Sequence, residues 1–393
     1  MSATEKKTIN FKTFLLVLIV GIPLWMWLAW IITPNRNMQV ALIDKTVLTP
    51  KGQEHISLNW VLTNERFTKS NGDLYKSERD YFGFFPLADE KYELKGLERF
   101  DDNQLHQMAS SADLVYITDT YGIYSNEWFK IEDPKERSTI IYGGMSKQDI
   151  LFIDEMRRNH KLIISEFNSI ASPTSIPVRR EFEDSFGIHW LGWVGRYFDS
   201  FDTTVNPELP KWLIRNFERQ YNVKWPFKKS GIAYVHSDDR VVILENETDL
   251  LEEIPSIYSS DEGQKYYGMP EKIKYSYWFD IIQPDTSFNH VISYFKVAVN
   301  EKGRAQLKNF GIPESFPAVT AHINSDYRMF YFSADFCDNP ISLFNSHFKG
   351  ISYFRWLFYN THDPVERRSF FWTLYRPLVS RILNDYYKTL PNK

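Results

Sequence analysis

The sequence predicts an α/β protein built on a parallel sheet, with added β-rich elements and one N-terminal membrane-spanning helix. Three observations carry that expectation. Strand-length apolar runs alternate with amphipathic helical stretches through the first half of the chain. Three of those runs end in polar residues, as strands of a parallel sheet do at a ligand-binding edge. An uninterrupted apolar run, Phe14 to Ile32, precedes them all.

That run is the first element. At about 1.5 Å rise per residue, its nineteen residues make a helix of roughly 28 Å, close to the thickness of a bilayer core. Lys6, Lys7 and Lys12 flank its start, and Trp25, Trp27 and Trp30 crowd its far end like an interfacial aromatic belt. Pro23 falls inside it, where a membrane helix tolerates proline better than a soluble one. No small-residue cleavage pattern follows. The expectation is a signal anchor: residues 1–13 cytoplasmic, 14–32 in the cell membrane as a single span, and the main domain outside the cytoplasm. A buried core helix is the competing reading.

Composition narrows the partners. The 393 residues carry a net charge of −4, so no basic excess points to nucleic acid. The sole cysteine, Cys337, excludes an intrachain disulfide and a cysteine metal cage. No cofactor and no metal are expected. Aromatic residues make up 17%, enough to fill a core and still leave stacking surface for sugar rings.

Beyond the anchor, Met38–Ile43 reads as a buried strand ending in Asp44 and Lys45. A helix over Gly52–Asn64 follows, burying Ile56, Leu58, Val61 and Leu62. Residues 66–90 are a long polar and aromatic excursion, of a length that is usually functional or ordered by its neighbours. Asp113–Ile117 is a second strand, ending in Thr118, Asp119, Thr120, Tyr121 and Gly122. Ser146 caps a helix over Lys147–Asn159. Lys161–Ser165 is a third strand, ending in Glu166, Phe167 and Asn168, and Val178–Phe186 is a helix stopped by Gly187. Three strand ends thus deliver Asp44, Lys45, Asp119, Thr120, Tyr121, Glu166 and Asn168 to one edge. The alternative is that they cap helices and satisfy loop backbone.

The second half changes texture. Ser230–His236 and Arg240–Glu245 form a hairpin-like pair around Ser237, Asp238 and Asp239. Lys274–Ile282, His290–Val299 and Met329–Phe336 are aromatic and β-branched strands, with a helix over Glu301–Phe310. Val365–Tyr387 is helical by pattern, with a kink expected at Pro377. The spacing divides the chain into an α/β domain over 38–340 and a C-terminal helical segment, 341–393, packed on it.

The blocks Val40-Ala41-Leu42-Ile43-Asp44, Leu114 to Gly122 and Leu162 to Asn168 resemble the start of a class I glutamine-amidotransferase-like domain, a flavodoxin-like α/β fold. Tyr331 to Asn339 resembles a returning sheet strand of that fold, and the Asp-Thr-Tyr-Gly and Glu-Phe-Asn blocks resemble those of membrane-anchored bacterial proteins. The resemblance implies a nucleophilic cysteine on a sharp strand-to-helix turn. Here that position carries Glu166, Phe167 and Asn168, no Gly-x-Cys-x-Gly or Gly-x-Ser-x-Gly elbow exists, and Cys337 lies late in the chain. Glutaminase chemistry is therefore not expected.

Other residues suggest a ligand. Glu166 and Asp335 each end an apolar strand and are candidates for a catalytic carboxylate pair. His236, Asp238 and Asp239 offer metal-ligand atoms in one turn, although tight turns use aspartate without metal. Trp193 and Arg196, in an aromatic stretch from His189 to Phe198, together with Arg179 suggest stacking and clamping of an anionic or sugar-like ligand. The expectation is a membrane-anchored protein that binds a polar or sugar-like envelope ligand or partner. The alternative is an envelope glycan or peptide hydrolase using Glu166 and Asp335.

Overall fold

The computed structural model describes residues 11–391, apart from 51, 52, 131, 134, 361 and 364. At its centre is a mixed ten-stranded sheet. Five strands run parallel in the middle, in the spatial order Arg328–Phe332, Leu162–Glu166, Leu114–Asp119, Val40–Asp44 and Phe82–Pro86. Tyr92–Leu94 pairs antiparallel beyond the last of these. On the other side the sheet continues antiparallel through Ser315–Ile323, His290–Lys296, Ser256–Ser259 and Lys272–Lys274.

The central strands are apolar along their whole length because both faces are covered. In Leu114–Asp119, Leu114 and Tyr116 face one core while Val115 and Ile117 face the other. The second core is closed by the helices Asp102–Ser111, Lys147–Arg158 and Ile176–Phe186, which contribute Leu105, Phe152, Ile153 and Phe182. The first is closed by the helix Ile56–Asn64 and by the C-terminal helix Arg376–Tyr387. Trp60 stands edge-on to Phe371 and Trp372, so the C-terminal segment shares the core of the sheet.

A second sheet, antiparallel, runs Val241–Glu245, Gly231–His236, Ile188–Phe198, Trp278–Pro284. The stretch Lys274–Ile282, expected as one strand, is therefore two. Lys272–Lys274 ends in the large sheet, and Trp278 begins the small one. The intervening Tyr275 is buried, and its hydroxyl donates to the carbonyls of Trp278 and Asp335. Just before Pro377 the C-terminal helix widens. Residues Phe371–Tyr375 form a wide turn just before the proline, which lacks an N–H and would crowd the carbonyl four residues earlier.

The segment expected to cross a membrane lies within a helix, Phe11–Ile32. Residues 1–10 and the side chains of 11–18 lie outside the described residues. Among the described residues, no helix is long and apolar enough to cross a membrane.

Candidate functional site

Four strand ends meet at one edge of the central sheet. Asp44, Asp119 and Glu166 are the last residues of their strands, and Asp335 follows Arg328–Phe332 by three residues. All four are buried. Their charges act on one another: Asp44 on Asp119, Asp119 on Glu166, and both Asp119 and Glu166 on Asp335.

Two residues outside that pattern join them. Gln53–His55 forms a short turn before the helix Ile56–Asn64 and brings in Glu54, which is half-buried. His55 holds this turn down: its Nδ1 pairs with Asp44 Oδ2 at 2.5 Å and its Nε2 lies 2.8 Å from the Ser77 carbonyl oxygen. The helix start then docks on the loop after the last parallel strand. Ser57 N donates to the Cys337 carbonyl at 3.3 Å, and Asn339 Nδ2 donates to Ser57 Oγ at 2.9 Å. That docking brings Glu54 beside Asp335 and Asp338, so that one carboxylate oxygen of each lies within 4.8 Å of the others.

Burial pushes the carboxyls of Glu54, Asp119, Glu166 and Asp335 well above the usual range. For Glu54 and Asp335 the next cause is the neighbouring Asp338 charge. Hydrogen bonds oppose the rise at Glu166, which accepts from the Tyr116 hydroxyl and, at 2.9 Å each, from the amides of Phe336 and Cys337. The one guanidinium at the cluster is Arg367, among the described residues. Its Nη1 donates to Asp338 Oδ2 at 3.1 Å, and its Cζ lies 3.7 Å from the Tyr277 ring centre.

Tyr277 and Trp278 are partly buried, and Trp278 stacks loosely on Phe167 with ring centres 6.4 Å apart. The Asp335 amide donates to the Trp278 carbonyl at 3.2 Å, which fixes this aromatic pair beside the carboxylates. A groove of about 830 Å³, lined by Pro340, Arg367 and Trp372 among others, adjoins the cluster.

The remaining residues singled out by sequence divide by position. Arg196 reaches the aromatic wall, with its Cζ 5.5 Å from the Tyr277 ring and 5.2 Å from the Trp278 ring. Tyr121 is held next to Asp119 by its amide, which donates to Asp119 Oδ1 at 2.6 Å. Asn168 takes a left-handed turn conformation, φ 63°, directly after the Glu166 strand. Four expected ligand contacts are corrected. Lys45 is buried away from the cluster, paired with Asp149 at 2.6 Å and with Glu98. Thr120 spends its hydroxyl on the carbonyls of Asn168 and Ser169. Arg179 donates to the carbonyls of Ile170 and Thr174 and covers Trp190. Trp193 is buried in the small sheet against His236 and Phe310.

Two other candidates resolve into ordinary contacts. Cys337 is buried, with Sγ 3.2 Å from the Tyr375 hydroxyl and 3.3 Å from the Leu58 amide, and burial pushes its thiol well up. In the 236–239 turn, Asp238 pairs with His236 and Arg240, and Asp239 with Arg137.

Sequence reasoning missed Glu54, Tyr277, Trp278, Asp338 and Arg367. The one local signal was Asp335-x-x-Asp338, a carboxylate repeated across a tight loop. The others arrive from distant parts of the chain.

No family model matches this chain, and no curated protein matches it. Among solved structures, a ThuA-like protein from Bacteroides uniformis is similar at TM-score 0.34 and 9% identity, covering 82% of this chain and 92% of that one. A beta-galactosidase from Bacillus circulans is similar at TM-score 0.32 and 9% identity over 84% of this chain and 34% of its own, so the match spans about a third of that enzyme. A carbohydrate deacetylase is similar at TM-score 0.32 and 7% identity, over 76% of this chain and 30% of that one.

Proposed function

We propose that this chain is a membrane-anchored, extracytoplasmic binding protein that takes a polar, sugar-like envelope ligand at the carboxyl edge of its parallel strands. On this reading it uses a class I glutamine-amidotransferase-like fold without glutaminase chemistry. The observation that carries the proposal is the convergence of carboxylates from separate elements beside the partly buried Tyr277 and Trp278. Carboxylates accept hydrogen bonds from sugar hydroxyls, and an aromatic face stacks on the apolar side of a sugar ring.

Binding is favoured over hydrolysis by the state of Glu166. Three donors hold its carboxylate in the core, which leaves it poorly placed to exchange protons with a substrate. The anchor is supported by the described half of the Phe11–Ile32 helix. It exposes Ile19, Val20, Leu24, Trp25 and Ile32, with Val20 at 71% and Ile32 at 80%, an apolar surface that a bilayer would cover.

Calorimetry of the full chain in detergent, with soluble peptidoglycan fragments and chito-oligosaccharides as probes, tests the reading. Saturable binding is expected, weakened at least about tenfold by Trp278→Ala, consistent with the loss of one stacking contact. Absence of binding to every probe, or equal binding by Trp278→Ala, sinks it. Turnover of a probe that disappears in Glu166→Gln would establish the hydrolase instead.

A further inference from the structure

We infer that Glu54, Asp335 and Asp338 together hold one hard divalent cation, Ca²⁺ or a smaller ion such as Mn²⁺ or Mg²⁺, through one carboxylate oxygen each. The inference goes beyond the ligand proposal and does not depend on it.

Spacing is the first support. The three oxygens lie within 4.8 Å of one another. Oxygens bound to one Ca²⁺ at 2.3–2.6 Å can be up to about 5 Å apart, and a slight contraction suits Mn²⁺ or Mg²⁺. The donor set is the second. It contains oxygen alone, without imidazole or thiolate, which selects hard cations over zinc or copper.

Unspent lone pairs are the third and independent support. Asp338 is 1% exposed, and Arg367 occupies its Oδ2, yet its Oδ1 is buried with no hydrogen-bond partner. Asp335 is 6% exposed and accepts no hydrogen bond from the described residues. A buried carboxylate oxygen without a donor is costly, and a cation would satisfy Asp338 Oδ1. Charge points the same way. An ion would hold all three carboxylates ionised against one guanidinium, and its own two charges would balance the remainder. The nearby basic groups are already engaged, His55 with Asp44 and Lys45 with Asp149. Glu54 keeps some exposure, which gives the ion a route in, and water would complete its shell.

The test uses Mn²⁺ as the probe and the full chain in detergent, stripped with EDTA. Loss of the free Mn²⁺ electron paramagnetic resonance signal should report one saturable site per chain, displaced by Ca²⁺ or Mg²⁺. Glu54→Gln and Asp335→Asn should each weaken it at least about tenfold, as expected when one ligand of three is lost. Asp238→Asn, in a distant exposed turn, should leave it unchanged. No saturable uptake below about 1 mM, the weak end of biological calcium sites, overturns the inference. So does undiminished affinity in Glu54→Gln with a wild-type near-ultraviolet circular dichroism spectrum. That variant alters a partly exposed side chain and decides the matter even where Asp335→Asn does not fold.

Discussion

Two buried ionic clusters lie near the same edge of the sheet, and they are opposites. Around Lys45, one ammonium meets two carboxylates and a carbonyl: Asp149 at 2.6 Å, Glu98, and Gly144 O at 3.0 Å. Around Glu54, Asp335 and Asp338, three carboxylates meet one guanidinium; each cluster keeps one buried oxygen without a donor, Asp149 Oδ1 in the first and Asp338 Oδ1 in the second, so the difference lies in the charge balance. Lys45 draws its partners from two further segments and closes on itself, tying strand, loop and helix together. The acidic cluster stays open. A charged group that is matched serves the fold, whereas one left unmatched near a partly buried wall is available to something that arrives from outside.

The sharpest way to break the comparison is to unbalance the closed cluster. Lys45→Ala leaves Asp149 buried beside a lost partner and should cost about 3–5 kcal/mol in chemical denaturation. A loss below about 1 kcal/mol, the range of exposed pairs, would move Lys45 out of the structural class.

Asp280 extends the comparison to a buried carboxyl that meets no cation among the described residues. It accepts from Tyr331 at 2.6 Å, and burial pushes it up to about 7. Because the folded value exceeds the unfolded one, the folded state binds this proton more tightly. The associated stability is fully present below about pH 4 and is lost as pH rises to about 7, amounting to about 4 kcal/mol for this group. Denaturation midpoints of Asp280→Asn against the parent across that window should diverge upward, the variant being the more stable at pH 8. Parallel curves would exclude the assignment.

The open cluster should respond with the opposite sign to the closed one. In EDTA, Asp335→Asn relieves like-charge crowding and should raise stability by about 1–2 kcal/mol, the usual gain when a site's strain is removed. Destabilisation would make Asp335 a structural residue like Lys45. The smallest effect belongs to Ser146, whose Oγ accepts from the Asp149 amide at 3.1 Å and caps the helix that presents Asp149 to Lys45. Ser146→Ala should cost about 1 kcal/mol, and a double-mutant cycle with Lys45→Ala should show coupling.

The legible part of the molecule was the part written locally. Asp44, Asp119 and Glu166 stood out because an apolar run that ends in a carboxylate is a strand reaching an edge. Their shared edge followed from parallel order. Lys45 looked identical in sequence, since its partner Asp149 is distant and alternation says nothing about which way a terminal side chain turns. Glu54 and Arg367 were invisible for the same reason: docking of a helix start on a late loop brings them in, and no periodicity records that. The stretch 274–282 misled because its aromatic density is continuous, although the chain changes sheets within it. Trp193 carried the same density as Trp278, and only tertiary position separates a fully buried ring from a partly buried one.

The N-terminal helix ends in a socket. Trp30 is buried, its indole N–H donates to Thr63 O at 2.9 Å, Arg66 covers its ring at 4.4 Å, and the Lys349 amide reaches back to Met26 O at 3.0 Å. On the anchored reading proposed above, a helix joined in this way would be a post rather than a leash. On the anchored reading, the acidic edge keeps a set height and heading above the lipid and cannot sweep the space around it. On that same proposal, a ligand would have to be delivered to that height or already stand there, as a component of fixed geometry would.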